Sequence, residues 1–185
     1  YYMVYIMPSI IYCCQVWHGG EEVMLRLLEK AVEDFWKLSP SGVPADFIGP
    51  RVLLIIFDLN YAKKMRDEIS VVNFKEIFKL DEDANERENE EDRLRTRAHF
   101  IKCSKLRFSN RTRNLWNLLP KEVRDLRYGF FKKEAKKFVV NNKDHFLNLG
   151  NKDKTGPKYL PKLVPYVPPK TYLKAEIVQP TGARK

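Results

Sequence analysis

The chain has 185 residues, 44% of them hydrophobic and 31% charged, which is globular composition with enough length for a sizeable core and excludes a wholly disordered chain. Its formal net charge of +10 conceals a split: residues 1–92 hold 10 Lys and Arg against 18 Asp and Glu, and residues 93–185 hold 24 against 6. The basic half makes nucleic acid the first partner class to consider, ahead of a membrane surface or an acidic protein. Three cysteines, two of them adjacent (Cys13, Cys14), make no disulfide framework and point to a reducing intracellular compartment: nucleus, cytoplasm or mitochondrion.

Tyr1–Trp17 is apolar, but Pro8, Ser9 and Gln15 interrupt it, it lacks a basic leader, and it is shorter than the roughly 20 residues a membrane span needs. It reads as a buried element broken at Pro8, with Ile10–Trp17 a helix or strand carrying Ile11, Tyr12 and Val16 into the core. With no Met at its start, the chain is expected to be a fragment or a processed product. Glu21–Leu38 is the clearest helix. Val23, Met24, Leu27, Leu28, Ala31, Val32, Phe35 and Leu38 recur at helical spacing, with Arg26, Glu29, Lys30, Glu33 and Lys37 facing away. Ser39–Pro50 is a Pro- and Gly-rich loop. Val52–Ile56 alone suits a buried strand, but the spacing of Leu53, Ile56, Phe57 and Tyr61 favours a helix opened by Pro50 and running through Met65. Val71–Phe78 is expected to form another short helix after Ser70.

Asp81–Asp92 is an acidic run almost without apolar residues, so it cannot bury surface and reads as a solvated linker. It divides an acidic helical region (1–80) from a basic one (96–150), with the linker taken as 81–95. Phe108–Val123 follows, FSNRTRNLWNLLPKEV. Leu115, Trp116, Leu118 and Leu119 form a helical apolar cluster, and Pro120 stops that helix or opens the next. Gly129–Leu149 is a second amphipathic helix, with Phe131, Ala135, Phe138, Val139 and Phe146 on one face. Lys132, Lys133, Lys136, Lys137 and Lys143 lie elsewhere, and Gly150 is a plausible stop. In residues 151–185, Pro157, Pro161, Pro165, Pro168, Pro169 and Pro180 exclude long helix. Tyr159, Tyr166 and Tyr172 alternate there with lysines, giving an extended tail that lies over its own body, a partner or RNA. The fold class is therefore mainly α: a helical, bundle-like body with an extended Pro/Tyr/Lys-rich C-terminal tail.

The pairs Cys14/His18 and His99/Cys103 could together supply four zinc ligands, but they are far apart and match no standard spacing, so no metal and no cofactor is expected. No nucleophile–base arrangement and no glycine-rich phosphate loop can be argued from the sequence, and no small-molecule substrate is implied. The remaining signal is basic. Lys102, Lys105, Arg107, Asn110, Arg111 and Arg113, with Lys132, Lys133, Lys136 and Lys137 beyond them, are the candidate RNA contacts. Trp116, Leu119 and Pro120 are the structural core of the motif.

FSNRTRNLWNLLPKEV, followed by FFKKEAKKFV, resembles the C-terminal end of reverse transcriptases of non-LTR (LINE-type) retrotransposons. Phe108, Asn110, Arg111, Trp116, Asn117, Leu119, Pro120, Phe131 and Lys132 occupy the family's Phe, Asn-Arg, Trp-Asn-x-Leu-Pro and Phe-Lys positions. IIYCCQVWHGG, the helix with Leu28 and Glu29, and Thr96-Arg97-Ala98-His99 resemble upstream family segments in the same order. The resemblance covers roughly Pro8–Leu149, the thumb and post-thumb region. The Tyr-x-Asp-Asp palm motif and an endonuclease portion do not occur in these residues, and the tail is not a family feature. The resemblance implies a non-catalytic, RNA-binding fragment or domesticated remnant of such an enzyme. The alternative is a structural subunit of a large ribonucleoprotein, such as a mitochondrial ribosome, with protein partners as well as RNA. A third reading is a protein scaffold whose acidic and basic halves attract each other.

Overall fold

Pro50 opens the helix on which the other elements pack. The computed structural model describes residues 2–12, 22–78, 108–147 and 162–169. In chain order these form a π-helical turn over Tyr2–Ile6, α1 (Met7–Ile11), α2 (Glu22–Lys37), α3 (Pro50–Arg66), α4 (Phe74–Ile77), α5 (Phe108–Leu118), α6 (Lys121–Arg124), α7 (Tyr128–Asn141) and α8 (Lys143–Leu147). No strand occurs among the described residues, and the chain is mainly helical. No helix among them is long and apolar enough to cross a membrane. The acidic linker 81–95, Thr96–His99 and most of the tail lie outside the described residues.

Helix α3 settles the strand-or-helix ambiguity at Val52–Ile56. Pro50 needs no N–H partner at a helix start, and Gly49 precedes it in extended backbone. Val52, Leu53, Leu54, Ile55, Ile56, Leu59, Ala62 and Met65 are all buried, so the helix is covered nearly all round and a one-sided stripe is not to be expected. At its other end Glu68 takes a left-handed conformation (φ 57°) and its N–H donates to the Met65 carbonyl at 3.2 Å.

One large cluster joins α3, from Val52 to Met65, to α4, α5, α6, α7 and α8. Trp116 is its centre: fully buried, its ring stacks on Phe131 (centroids 5.9 Å apart) and tilts against Phe74 at the same distance. Phe131, Ala135, Phe138, Val139 and Phe146, the face expected from spacing, are all buried. The acidic and basic regions thus share one core across the charge boundary. A smaller cluster holds Ile10, Val32 and Leu54, with Leu28, Phe35, Trp36 and Phe57 packed against it.

Four expectations need correction. Pro8 does not break its element but sits at the start of α1, where its missing N–H costs nothing. Ile10 is the buried residue there, whereas Tyr12 is 76% exposed and Val16 lies outside the described residues. In α2 only Val32 of the expected stripe is fully buried, and Val23, Met24 and Leu27 are 59–70% exposed. Gly129–Leu149 is two helices rather than one. Asn142 ends α7, and its side-chain amide donates to the Phe138 carbonyl at 3.1 Å. Pro120 performs both expected roles, closing α5 and standing just before α6 in extended backbone.

Candidate nucleic-acid interface

Helix α5 turns Thr112, Leu115 and Trp116 inward, and this carries Arg111 and Arg113 to the edges of the buried face. Arg111 reaches Asp58, the one acidic side chain within the apolar run of α3. Its Nε–H donates to Oδ2 at 2.6 Å and its Nη2 to Oδ1 at 3.1 Å, a two-point pair between planar groups. The Asp58 side chain is fully buried and that of Arg111 is 13% exposed. Burial raises the Asp58 pKa to about 6, against the hydrogen bond and charge of Arg111, which lower it.

Arg113 is also turned in. Its Nη2 donates to the Ile77 carbonyl at 3.1 Å and its Nη1 to Asn110 Oδ1 at 3.4 Å, so it caps the carbonyl end of α4. Lys63 and Arg66 do the same at α6, both donating to the Arg124 carbonyl, at 2.9 and 3.0 Å. These cations close helix ends against the core. Arg111 and Arg113, expected among the RNA contacts, direct these donors into the fold.

The lysines of α7 have the opposite arrangement. With Phe131, Glu134, Ala135, Phe138 and Val139 buried, Lys132, Lys133, Lys136 and Lys137 fall on the exposed face. They form two adjacent pairs one helical turn, about 5.4 Å, apart. Lys137 also contacts the buried Glu134 at 3.4 Å. Phe130, 45% exposed, lies three and seven residues before Lys133 and Lys137 and so borders the same face. Lysines that follow a phosphate chain beside an aromatic ring are the elements of sequence-tolerant nucleic-acid binding. Lys102, Lys105 and Arg107 lie outside the described residues.

Tail residues 162–169 return to this part of the fold. Val164 N–H donates to Asn142 Oδ1 at 2.7 Å, and Asn142 Nδ2 donates to the Val164 carbonyl at 3.4 Å. Tyr166 packs against the large cluster. This lays an exposed Lys162 near the break between α7 and α8. Among the described residues no three His, Cys, Asp or Glu side chains gather as a metal site; Cys14, His18, His99 and Cys103 lie outside them.

Sequence reasoning missed Asp58 and Asn142. The signal for Asp58 is a lone carboxylate amid Val52–Leu59, which must find a cation if the helix is covered all round. Asn142 carries no comparable signal, since asparagine at a helix end is commonplace. The chain matches no family model, no curated protein and no solved structure with significance.

Proposed function

We propose that this chain is a non-catalytic RNA-binding fragment or domesticated remnant of a retrotransposon reverse transcriptase, and that it holds RNA through the lysine face of α7. The observation that carries the RNA reading is the division of labour among the cations. Arg111, Arg113, Lys63 and Arg66 face inward to carboxylates and carbonyls, while Lys132, Lys133, Lys136 and Lys137 face solvent. The ancestry rests on the ordered sequence motif ending in Trp116–Pro120.

Binding of a single-stranded RNA oligonucleotide, measured across a salt series, tests the reading. Each phosphate contact contributes about 0.7 to the slope of log K against log salt. Replacing Lys132, Lys133, Lys136 and Lys137 by Ala should reduce that slope by about 2–3 and leave the helical circular dichroism unchanged. Wild-type binding that ignores salt, or a quadruple variant with an undiminished slope, refutes the α7 interface.

The second reading, a structural subunit of a large ribonucleoprotein, draws support from the exposed Val23, Met24 and Leu27 on α2, an apolar surface suited to a protein neighbour. Its test is co-sedimentation with ribonucleoprotein particles after a high-salt wash.

A further inference from the structure

Away from the basic face, α2 and the loop that leads to α3 form a half-open cavity of about 390 Å³. An engineered cavity of roughly 150 Å³ holds benzene, so this one has room for a substituted aromatic ring. Val32 and Trp36 of α2, Phe47 of the loop and Pro50 at the start of α3 supply its apolar walls. Trp36 and Phe47 meet edge to face, with centroids 5.5 Å apart, and Phe35 meets Trp36 edge to face at 5.2 Å. Two aromatic contacts therefore hold the Trp36 wall.

The charges at the mouth do not cancel. Glu29 lines it but forms an ion pair with Arg51 at 2.8 Å, and Lys37 is drawn to Asp34 at 3.0 Å. Glu33 lines the same mouth, is exposed, and shares the charge of Lys37 with Asp34, so Glu29, Glu33 and Asp34 stand against Arg51 and Lys37 with one negative charge in excess. An apolar cavity with a tryptophan wall, lined by two carboxylates (Glu29, Glu33) against one ammonium (Lys37), is complementary to a cation with an apolar body.

We propose that this cavity is a binding site for a small organic ammonium ion carrying an aromatic group, the ring lying against Trp36 and Phe47 and the ammonium at Glu33. The site is separate from the lysine face of α7, and neither depends on the other. Gly49, which also lines the cavity, offers a way to block it. Its φ of −60° suits any residue, and a Cβ built there meets no atom within 4 Å.

The test uses 4-phenylbutylamine as probe on the full chain, followed by amide NMR shifts and calorimetry, with 4-phenylbutanol and 4-phenylbutanoate as neutral and anionic counterparts. The amine should bind most tightly and the acid least, with shifts centred on Val32, Trp36, Phe47 and Gly49. Glu33→Gln, a near-isosteric change at an exposed position, should weaken the amine about fivefold and leave the alcohol unchanged. Gly49→Leu should weaken amine and alcohol together. No binding by the amine, an acid that binds as well as the amine, an unchanged amine affinity in Glu33→Gln, or shifts elsewhere on the chain would overturn the assignment.

Discussion

Helices α2 and α3 invert the usual relation between pattern and burial. In α2 apolar and charged residues separate cleanly around the helix, yet Val23, Met24 and Leu27 stand in solvent and only Val32 is fully buried. In α3 the apolar residues crowd every side, and nearly all are covered by α2, α5, α7 and α8. Periodicity reports which face of a helix is apolar; it is silent on how much neighbouring structure exists to cover that face. The difference extends to the cations. Those near α3 are held by buried partners, and those on α7 remain in water.

Breaking the larger cluster should have the greatest effect. Trp116→Ala removes the ring that joins Phe131 and Phe74 and should cost about 3–5 kcal/mol, measured by urea unfolding, since a buried aromatic is lost and a cavity remains. Arg111→Ala should be of similar size, about 3–5 kcal/mol, because it leaves the Asp58 charge buried without its partner. Replacing both, as Asp58→Leu with Arg111→Met, should recover most of that loss. If Arg111→Ala alone is neutral, the pair does not anchor α5 to α3.

The same pair gives a pH signature. Asp58 has a folded-state pKa of about 6 against 3.8 for an ordinary carboxylate, so between those values the native state holds the proton more tightly than the unfolded chain does. Its contribution to stability is therefore greatest below pH 4, declines as pH rises to about 6, and is constant above that. The change is on the order of 3 kcal/mol, opposite in sign to that of a carboxylate stabilised in its charged form. The stability difference between wild type and Asp58→Asn across pH 4–7 isolates it. A flat difference would mean that Arg111 fully offsets the burial.

Much of this fold was legible. Pro50 marked the start of α3, and the spacing of Phe131, Ala135, Phe138 and Val139 marked the inner face of α7, because both follow from local geometry. The partners of Arg111 and Arg113 were not legible. Asp58 lies 53 residues before Arg111 and the Ile77 carbonyl 36 before Arg113, and no local pattern encodes such pairings. A basic residue beside a Trp looks the same in sequence whether it faces a phosphate or a buried carboxylate. The lysines of α7 were placed correctly relative to the apolar face, since that placement needs only the helical repeat.

A smaller effect tests the seam where the tail meets the fold. Asn142→Ala removes the donor to Phe138 and both hydrogen bonds to Val164, and should cost about 1–2 kcal/mol. It should also raise amide exchange at Val164, because that N–H loses its acceptor. Asn142→Asp keeps the acceptor for Val164 N–H but loses the donor to two carbonyls, so exchange at Val164 should stay slow while stability falls.

The smallest expected effect sharpens the contrast between α2 and α3 most. Leu27 and Leu59 are the same residue in the middle of two helices, one 59% exposed and the other fully buried. Leu59→Ala should cost about 2–5 kcal/mol, whereas Leu27→Ala should stay within about 0.5 kcal/mol, since little of its surface leaves water on folding and alanine favours helix. Urea unfolding of the two variants side by side settles the point. A cost of more than about 1.5 kcal/mol at Leu27 would show that α2 is covered in solution, either by another part of the chain or by a second copy, and repeating the measurement at tenfold lower protein concentration would separate the two, because only the second copy dilutes away.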